Sequence, residues 1–120
     1  MLFRSDLFLI EKVKDFNTDV SLYTTGIKVK PPEGFYFILV GRSSISKSGY
    51  SLANGIGIID EDYVGEILVP LRNHTNDQLS LPNRLVQLVL LPKLNYNFVE
   101  VDHIEDTSRG TGGFGSTGGV

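Results

Sequence analysis

No stretch of this chain sustains an amphipathic helical period; its apolar residues come in short β-branched and aromatic runs cut by turn chemistry. Thr18 to Thr25 alternates, Pro31-Pro32-Glu33-Gly34 spells a turn, and Phe35 to Val40 is an apolar run of strand length. From Gly41 to Gly55 the pattern gives way to polar and small residues, which predicts a loop or at most one helical turn. Ile56 to Ile59 and Val64 to Leu71 flank the acidic cluster Asp60-Glu61-Asp62, which predicts a hairpin. Asn73 to Asp77 reads as another turn and Leu79 to Leu81 as a short strand. Pro82-Asn83 then leads into Arg84 to Leu91, the strand expected to be the most buried. Asn97 to Val101 is the last candidate strand before an acidic linker, Asp102 to Ser108, and no internal repeat is present. Strands this short, at this turn spacing, predict an all-β fold, a compact β-barrel or jelly-roll-like sandwich.

A length of 120 residues suits one domain with a single core. The net charge of −3 argues against nucleic-acid polymers and anionic membranes, which need a basic surface, but leaves room for a compact anionic ligand held by a few arginines. Without cysteine there is neither a disulfide framework nor a thiolate metal site, which suits a reducing compartment. Arg4, Asp6, Glu11 and Lys12 break up the apolar residues of the N-terminus, so no signal-peptide core is expected, and no apolar run approaches spanning length. The expectation is a soluble intracellular protein, cytoplasmic or nuclear.

The C-terminus is of a different kind. Ser108 to Gly119 is a glycine tail holding one arginine, one aromatic ring and several hydroxyls, with almost nothing to bury. Gly110, Gly112 and Gly115 spell G-x-G-x-x-G, yet only five residues follow Gly115, too few for the helix of a dinucleotide-binding unit. A Walker-type P-loop fails for want of a lysine after the last glycine. A plain glycine-serine spacer is the other reading, although spacers rarely contain an arginine or a phenylalanine. Read as a ligand-dependent segment, the tail offers backbone N–H groups to an anion, the Arg109 fork to phosphate oxygens, Gly115, Ser116 and Thr117 as further donors, and the Phe114 face to a base. A nucleoside triphosphate fits that set. The chain therefore divides into a β domain, 1–107, and a flexible Gly-rich C-terminal arm, 108–120.

With tail, loop and acidic turn taken together, the chain resembles the trimeric, all-β deoxyuridine triphosphatases (dUTPases), whose five short motifs occur here in order. Phe3-Arg4-Ser5-Asp6-Leu7 is similar to the first, keeping its Asp-Leu pair, and Gly41-Arg42-Ser43-Ser44 to the second, with glycine in place of proline. Asn54 to Glu66 is a long match to the third, Arg84-Leu85-Val86-Gln87-Leu88 is similar to the fourth, and the tail is the fifth. The strand that precedes the first motif in the family has no counterpart here.

What the resemblance implies is hydrolysis of dUTP to dUMP and pyrophosphate by in-line attack of water on the α-phosphorus, limiting uracil in DNA and supplying dUMP for dTMP synthesis. Asp60 would orient the water and meet the sugar 3′-hydroxyl. Tyr63 would lie under the deoxyribose and reject a ribose hydroxyl. Main-chain groups of Gly57 and Ile59, with the Asn54 amide, would read the edge of uracil. Arg42, Ser43, Ser44 and Gln87 would hold phosphates. Asp6 would hold a hydrated Mg²⁺ that arrives with the nucleotide. Without the resemblance, Asp60 and Asp62 are turn acids and Tyr63 a half-buried strand tyrosine. Arg84 reads as a structural arginine at the start of a strand, paired with an acid, and His74 and His103 as exposed bystanders. The resemblance further implies a homotrimer with shared sites: phosphate loops from one subunit, the uracil segment from a second, the tail from a third as a lid. Two alternatives stand beside it: a dCTP deaminase-like enzyme on the same fold, and a non-catalytic nucleotide-sensing homologue.

Overall fold

The structure, a computed structural model, describes residues 4–115. Phe3 of the first motif, and Ser116 and Thr117 of the tail, lie outside the described residues. Eight strands form two four-stranded antiparallel sheets. The first sheet has the order β1 (Arg4–Leu9), β8 (Asn83–Pro92), β4 (Phe35–Gly41), β6 (Gly57–Ile59). The second has the order β2 (Glu11–Asp15), β3 (Val20–Lys28), β7 (Glu66–Asn73), β5 (Tyr50–Leu52). This is the expected all-β, jelly-roll-like architecture, with a 3₁₀ turn at Ser43–Lys47.

The core lies between the sheets. Leu7, Leu9, Leu39, Ile59, Val86 and Leu88 face it from the first sheet, and Tyr23, Tyr50, Ile67, Val69 and Leu71 from the second. On β7 the inward set 67, 69, 71 follows the two-residue period of a strand with one buried face. On β8 both Leu85 and Val86 are buried, which strict alternation forbids. The cause is a bulge: Leu7 pairs with Val86 but Leu9 with Asn83, so β8 spends an extra residue there.

Several expectations need correction. Ile56–Ile59 and Val64–Leu71 do not make a hairpin, because β6 pairs with β4 while β7 pairs with β3 and β5; the acidic turn crosses from one sheet to the other. Leu79 and Leu81 are not a strand: the segment pairs with nothing and serves to lay both leucines against the core. Asn97 to Val101 is extended without a ladder partner. Three strands were not expected. In β1 charged residues occupy outward positions, β2 is exposed at every position, and β5 is a three-residue strand inside the supposed loop.

Beyond Pro92 the described chain has no strand or helix, and it projects from the body. The radius of gyration, 18.8 Å, exceeds the roughly 14 Å expected of a compact chain of this length. Leu94, Tyr96, Phe98, Val99 and Ile104 are each at least 74% exposed along that arm.

Truncating Leu71, 1% exposed between the sheets, leaves a cavity in the core cluster. Leu71→Ala is expected to lower unfolding stability by about 2–5 kcal/mol, read as a fall in the urea midpoint at unchanged slope. A shift equal to that of the exposed Val64→Ala would contradict this packing.

Candidate active site

Residues of the first, second and fourth motifs meet on the outward face of the first sheet. Asp6 on β1 lies opposite Gln87 on β8, and Gln87 lies opposite Val40 on β4. Directly after β4, the backbone N–H of Arg42 donates to the Leu85 carbonyl at 2.8 Å, and its Nη1 donates to the Arg84 carbonyl at 2.7 Å. Its Nε stands 3.1 Å from Asp6 Oδ2, which Arg84 Nη1 also approaches at 3.8 Å. Gln87 Nε2 donates to the Gly41 carbonyl at 3.2 Å. Arg4, Ser5, Asp6, Arg42, Ser43 and Gln87 line a polar cavity of about 360 Å³. Ser44 stands beside it, its Oγ 3.4 Å from Arg42 Nη1.

The glycine before Arg42 has a local cause. A Cβ at Gly41 would come within 2.8 Å of Ile45 Cγ2, so Ile45 packs where a side chain would otherwise sit. Arg42 is steadied by hydrogen bonds to β8 rather than by a stiff preceding residue. Arg84 pairs with an acid, as expected, and its guanidinium also lies 5.3 Å from the centre of the Phe8 ring.

A second cavity, about 210 Å³, collects residues of the third motif. Asn54, Gly57, Ile59 and Tyr63 line it together with Leu39, Ile58, Glu66, Ile67 and Leu68. Leu39 and the β7 residues were not singled out in the sequence, where they read as ordinary strand positions. A Cβ at Gly57 would press on Leu39 Cβ at 3.2 Å and on Asn54 Nδ2 at 3.5 Å, so glycine there keeps the wall of the cavity low. The backbone turns at Gly55, whose φ of +71° suits glycine.

Asp60 is exposed on the segment after β6. It lines a neighbouring groove with Tyr36, Ile58, Lys93, Leu94 and Tyr96, outside the cavity that holds Tyr63. Its carbonyl accepts from the Tyr63 N–H at 3.2 Å, which ties the two residues into one turn. The next residue anchors that turn. Glu61 Oε2 accepts from the Gly34 N–H at 3.1 Å, and Oε1 lies 3.3 Å from Lys93 Nζ. The Gly34 amide, and after it the Lys93 ammonium, hold the Glu61 carboxyl below the usual carboxylate range. Nothing in the sequence signalled this clasp, since its three members are far apart along the chain.

Within one chain the two cavities share no lining residue, and the tail touches neither. Arg109 Nε donates to the Gly112 carbonyl, Phe114 is fully exposed with φ at +48°, and Gly115 has φ at +86°. Among the described residues no three acidic or histidine side chains gather as metal ligands. Asp6 is the one carboxylate lining the phosphate-sized cavity, and its Oδ2 is already shared with guanidinium groups. That donor set fits an ion that brings its own waters and phosphate ligands, not a resident one. No helix among the described residues is long and apolar enough to cross a membrane. His74 is exposed but not idle, with Nε2 2.8 Å from Ser51 Oγ.

A family model described as dUTPase matches residues 6–118. Deoxyuridine 5′-triphosphate nucleotidohydrolase of Escherichia phage T5 is 45% identical over 97 residues, a span covering 78% of this chain and 66% of that protein. The solved dUTPase of Streptococcus mutans superposes with a TM-score of 0.69 at 30% identity, covering 81% of this chain and 83% of that one. For the fold alone, a dUTPase mutant of Staphylococcus bacteriophage 80alpha solved with dUpNHpp gives a TM-score of 0.79 at 22% identity, over 98% of this chain and 87% of that one.

Because its folded pKa lies below the ordinary 4.5, Glu61 stabilises the fold at pH above that value, and the contribution is lost as pH falls through the folded pKa. The Tm deficit of Glu61→Gln is therefore expected to be constant from about pH 8 to pH 6 and to narrow as pH falls below 4.5 through the folded pKa. A deficit that persists undiminished in acid would show that the charge of Glu61 is not what holds the turn.

Proposed function

This chain belongs to the dUTPase family, and from that membership we propose that it hydrolyses dUTP to dUMP and pyrophosphate by attack of water on the α-phosphorus. The supporting observation is convergence: three segments far apart in sequence bring Asp6, Arg42, Ser43 and Gln87 to one polar cavity, while the third motif builds a separate cavity walled by Asn54, Gly57, Ile59 and Tyr63. A charged, hydroxyl-rich pocket suits phosphates, and a narrow, largely apolar one suits a pyrimidine and its sugar.

On this reading Arg42 and Ser43 bind α- and β-phosphate oxygens, with Ser44 and the Gln87 amide adding donors. Gly57, Ile59 and Asn54 meet the uracil edge, Tyr63 packs against the deoxyribose, and Asp60 orients the water. The exposed Asp60 carboxylate is available as a hydrogen-bond acceptor. Mg²⁺, held through water by Asp6, supplies charge neutralisation on the triphosphate when bound.

The same reading takes the assembly to be a homotrimer with shared sites. In β4 and β8 the apolar runs are continuous, so the outward face of the first sheet carries Tyr36, Ile38, Val40, Val89 and Leu91 where a solvent-facing sheet would be polar. Ile58 adds to that face at 68% exposure. A face of this kind calls for a covering partner. The separation of the two cavities, and of the tail from both, accords with sites completed between subunits. Arg109, Phe114 and Gly115, with Ser116 and Thr117, then close over the nucleotide of a neighbour.

Pyrophosphate release on dUTP, dTTP, dCTP and UTP, with and without Mg²⁺, tests the activity: release confined to dUTP with Mg²⁺ is expected, and ammonia from dCTP would overturn it. Asp60→Asn is expected to lower kcat by about 10²–10⁴-fold with KM little changed. Deleting residues from Arg109 onward should leave fold and sedimentation unchanged while removing most turnover; unchanged kcat would remove the lid.

A further inference from the structure

Tyr63 is held in a pose that its neighbours dictate. Its ring folds back over residue 65, where a Cβ would stand 2.5 Å from Tyr63 Oη, 2.7 Å from Cζ and 3.1 Å from Cε1. Gly65 is not among the residues of positive φ, so the backbone conformation does not require glycine here. Space does: a Cβ at 65 meets the hydroxyl end of the ring, so any side chain there moves Tyr63 out of this pose. Tyr63 Oη then donates to the Glu66 carbonyl at 2.6 Å, which fixes the far end of the ring.

The Glu66 carbonyl is itself on firm ground. The Glu66 carboxylate accepts from Thr24 Oγ1, and the buried Thr25 hydroxyl donates to the Ile67 carbonyl at 2.8 Å. Both threonines flank the place where the β3–β7 register slips, with Thr24 opposite Leu68 and Lys28 opposite Glu66. A bulge in β3 thus anchors the start of β7, and the start of β7 holds the ring that walls the second cavity.

We infer that Gly65 is a positioning residue for sugar selection, acting through Tyr63, and that the Glu66 carbonyl holds the same hydroxyl end of the ring in the room that Gly65 leaves. The inference rests on the dUTPase reading. A ring held at its hydroxyl end by the Glu66 carbonyl, over the room that Gly65 leaves, resists the extra 2′-hydroxyl of a ribonucleotide, whereas one displaced by a methyl group at 65 leaves the space open. Gly65 has no side chain to touch the nucleotide, and the group of Glu66 invoked here is its main-chain carbonyl. Their effect is on the choice between dUTP and UTP rather than on the chemical step.

The test compares kcat/KM for dUTP and UTP in the native chain, Gly65→Ala, Tyr63→Leu and the double variant. Gly65→Ala is expected to lower the dUTP-to-UTP ratio by about tenfold or more, chiefly through KM. In the Tyr63→Leu background the same change should move the ratio by less than about twofold, since the two act as one unit. Tyr63→Phe, which keeps the ring and loses the bond to Glu66, provides a milder variant if Gly65→Ala does not fold, with an expected loss of about three- to fivefold. A ratio unchanged in Gly65→Ala, or in Tyr63→Phe where that is the variant in hand, overturns the inference. So does a loss of equal size with and without Tyr63. NMR contacts between the Tyr63 ring and the Gly65 α-protons in the nucleotide-free protein test the seat itself, and their absence overturns it. Should the native chain fail to prefer dUTP, the activity reading falls instead, while the ring contacts still report on the seat.

Discussion

Burial of Leu85, Val86 and Leu88 between the sheets fixes β8, and β8 fixes almost everything else. It lies between β1 and β4, so its register sets which residue of each neighbour stands beside Gln87. A slip by one residue would turn Val86 and Leu88 to the outside and Gln87 into the core, with loss of several kcal/mol of apolar burial. The bulge at 84–85 serves the same end. It buries Leu85 without disturbing Val86, leaves the Leu85 and Arg84 carbonyls to receive Arg42, and puts the Arg84 guanidinium near Asp6. The polar cavity is thus held by backbone groups of a core strand, which is why a glycine can stand before Arg42 without loosening it.

Charge explains the remainder of that cavity. Arg42 and Arg84 both lean on Asp6, and such partly exposed pairs contribute at most about 1 kcal/mol each to stability. Their value is orientation: a guanidinium shared between a carboxylate and a carbonyl keeps one fixed aspect towards the cavity.

Much of the architecture was legible in the sequence, for definite reasons. β4, β7 and β8 announce themselves because their apolar runs are continuous or alternate cleanly. β1 and β2 did not: on β1 Arg4 and Asp6 read as interruptions until the burial of Leu7 and Leu9 shows them as the outward half of an alternation, and β2 is exposed at every position, so no apolar face marks it. The acidic turn read as a hairpin because local periodicity marks strands without saying which sheet each will join. The candidate site residues come from motif resemblance; one cavity gathers Asp6, Arg42, Ser43 and Gln87 and another Asn54, Gly57, Ile59 and Tyr63, while Asp60 and the tail lie outside both. The residues that hold those groups in place, Ile45, Glu61 with Lys93, and Thr24 with Glu66, were not legible, since each acts through a partner distant in sequence.

On the proposed reading, the electrostatics also require that the site be completed from outside the chain. A triphosphate brings several negative charges to a protein whose own net charge is −3. The cavity offers Arg4, Arg42 and the nearby Arg84, but Asp6 already offsets part of their charge. Binding there therefore needs further cations, and two sources suit: a metal ion travelling with the nucleotide, and Arg109 on a tail that contacts neither cavity of its own chain. On this reading the metal ion departs with the products and the tail disengages, so the empty site stays open and weakly charged, and bulk water is excluded only while a nucleotide and the one attacking water are enclosed.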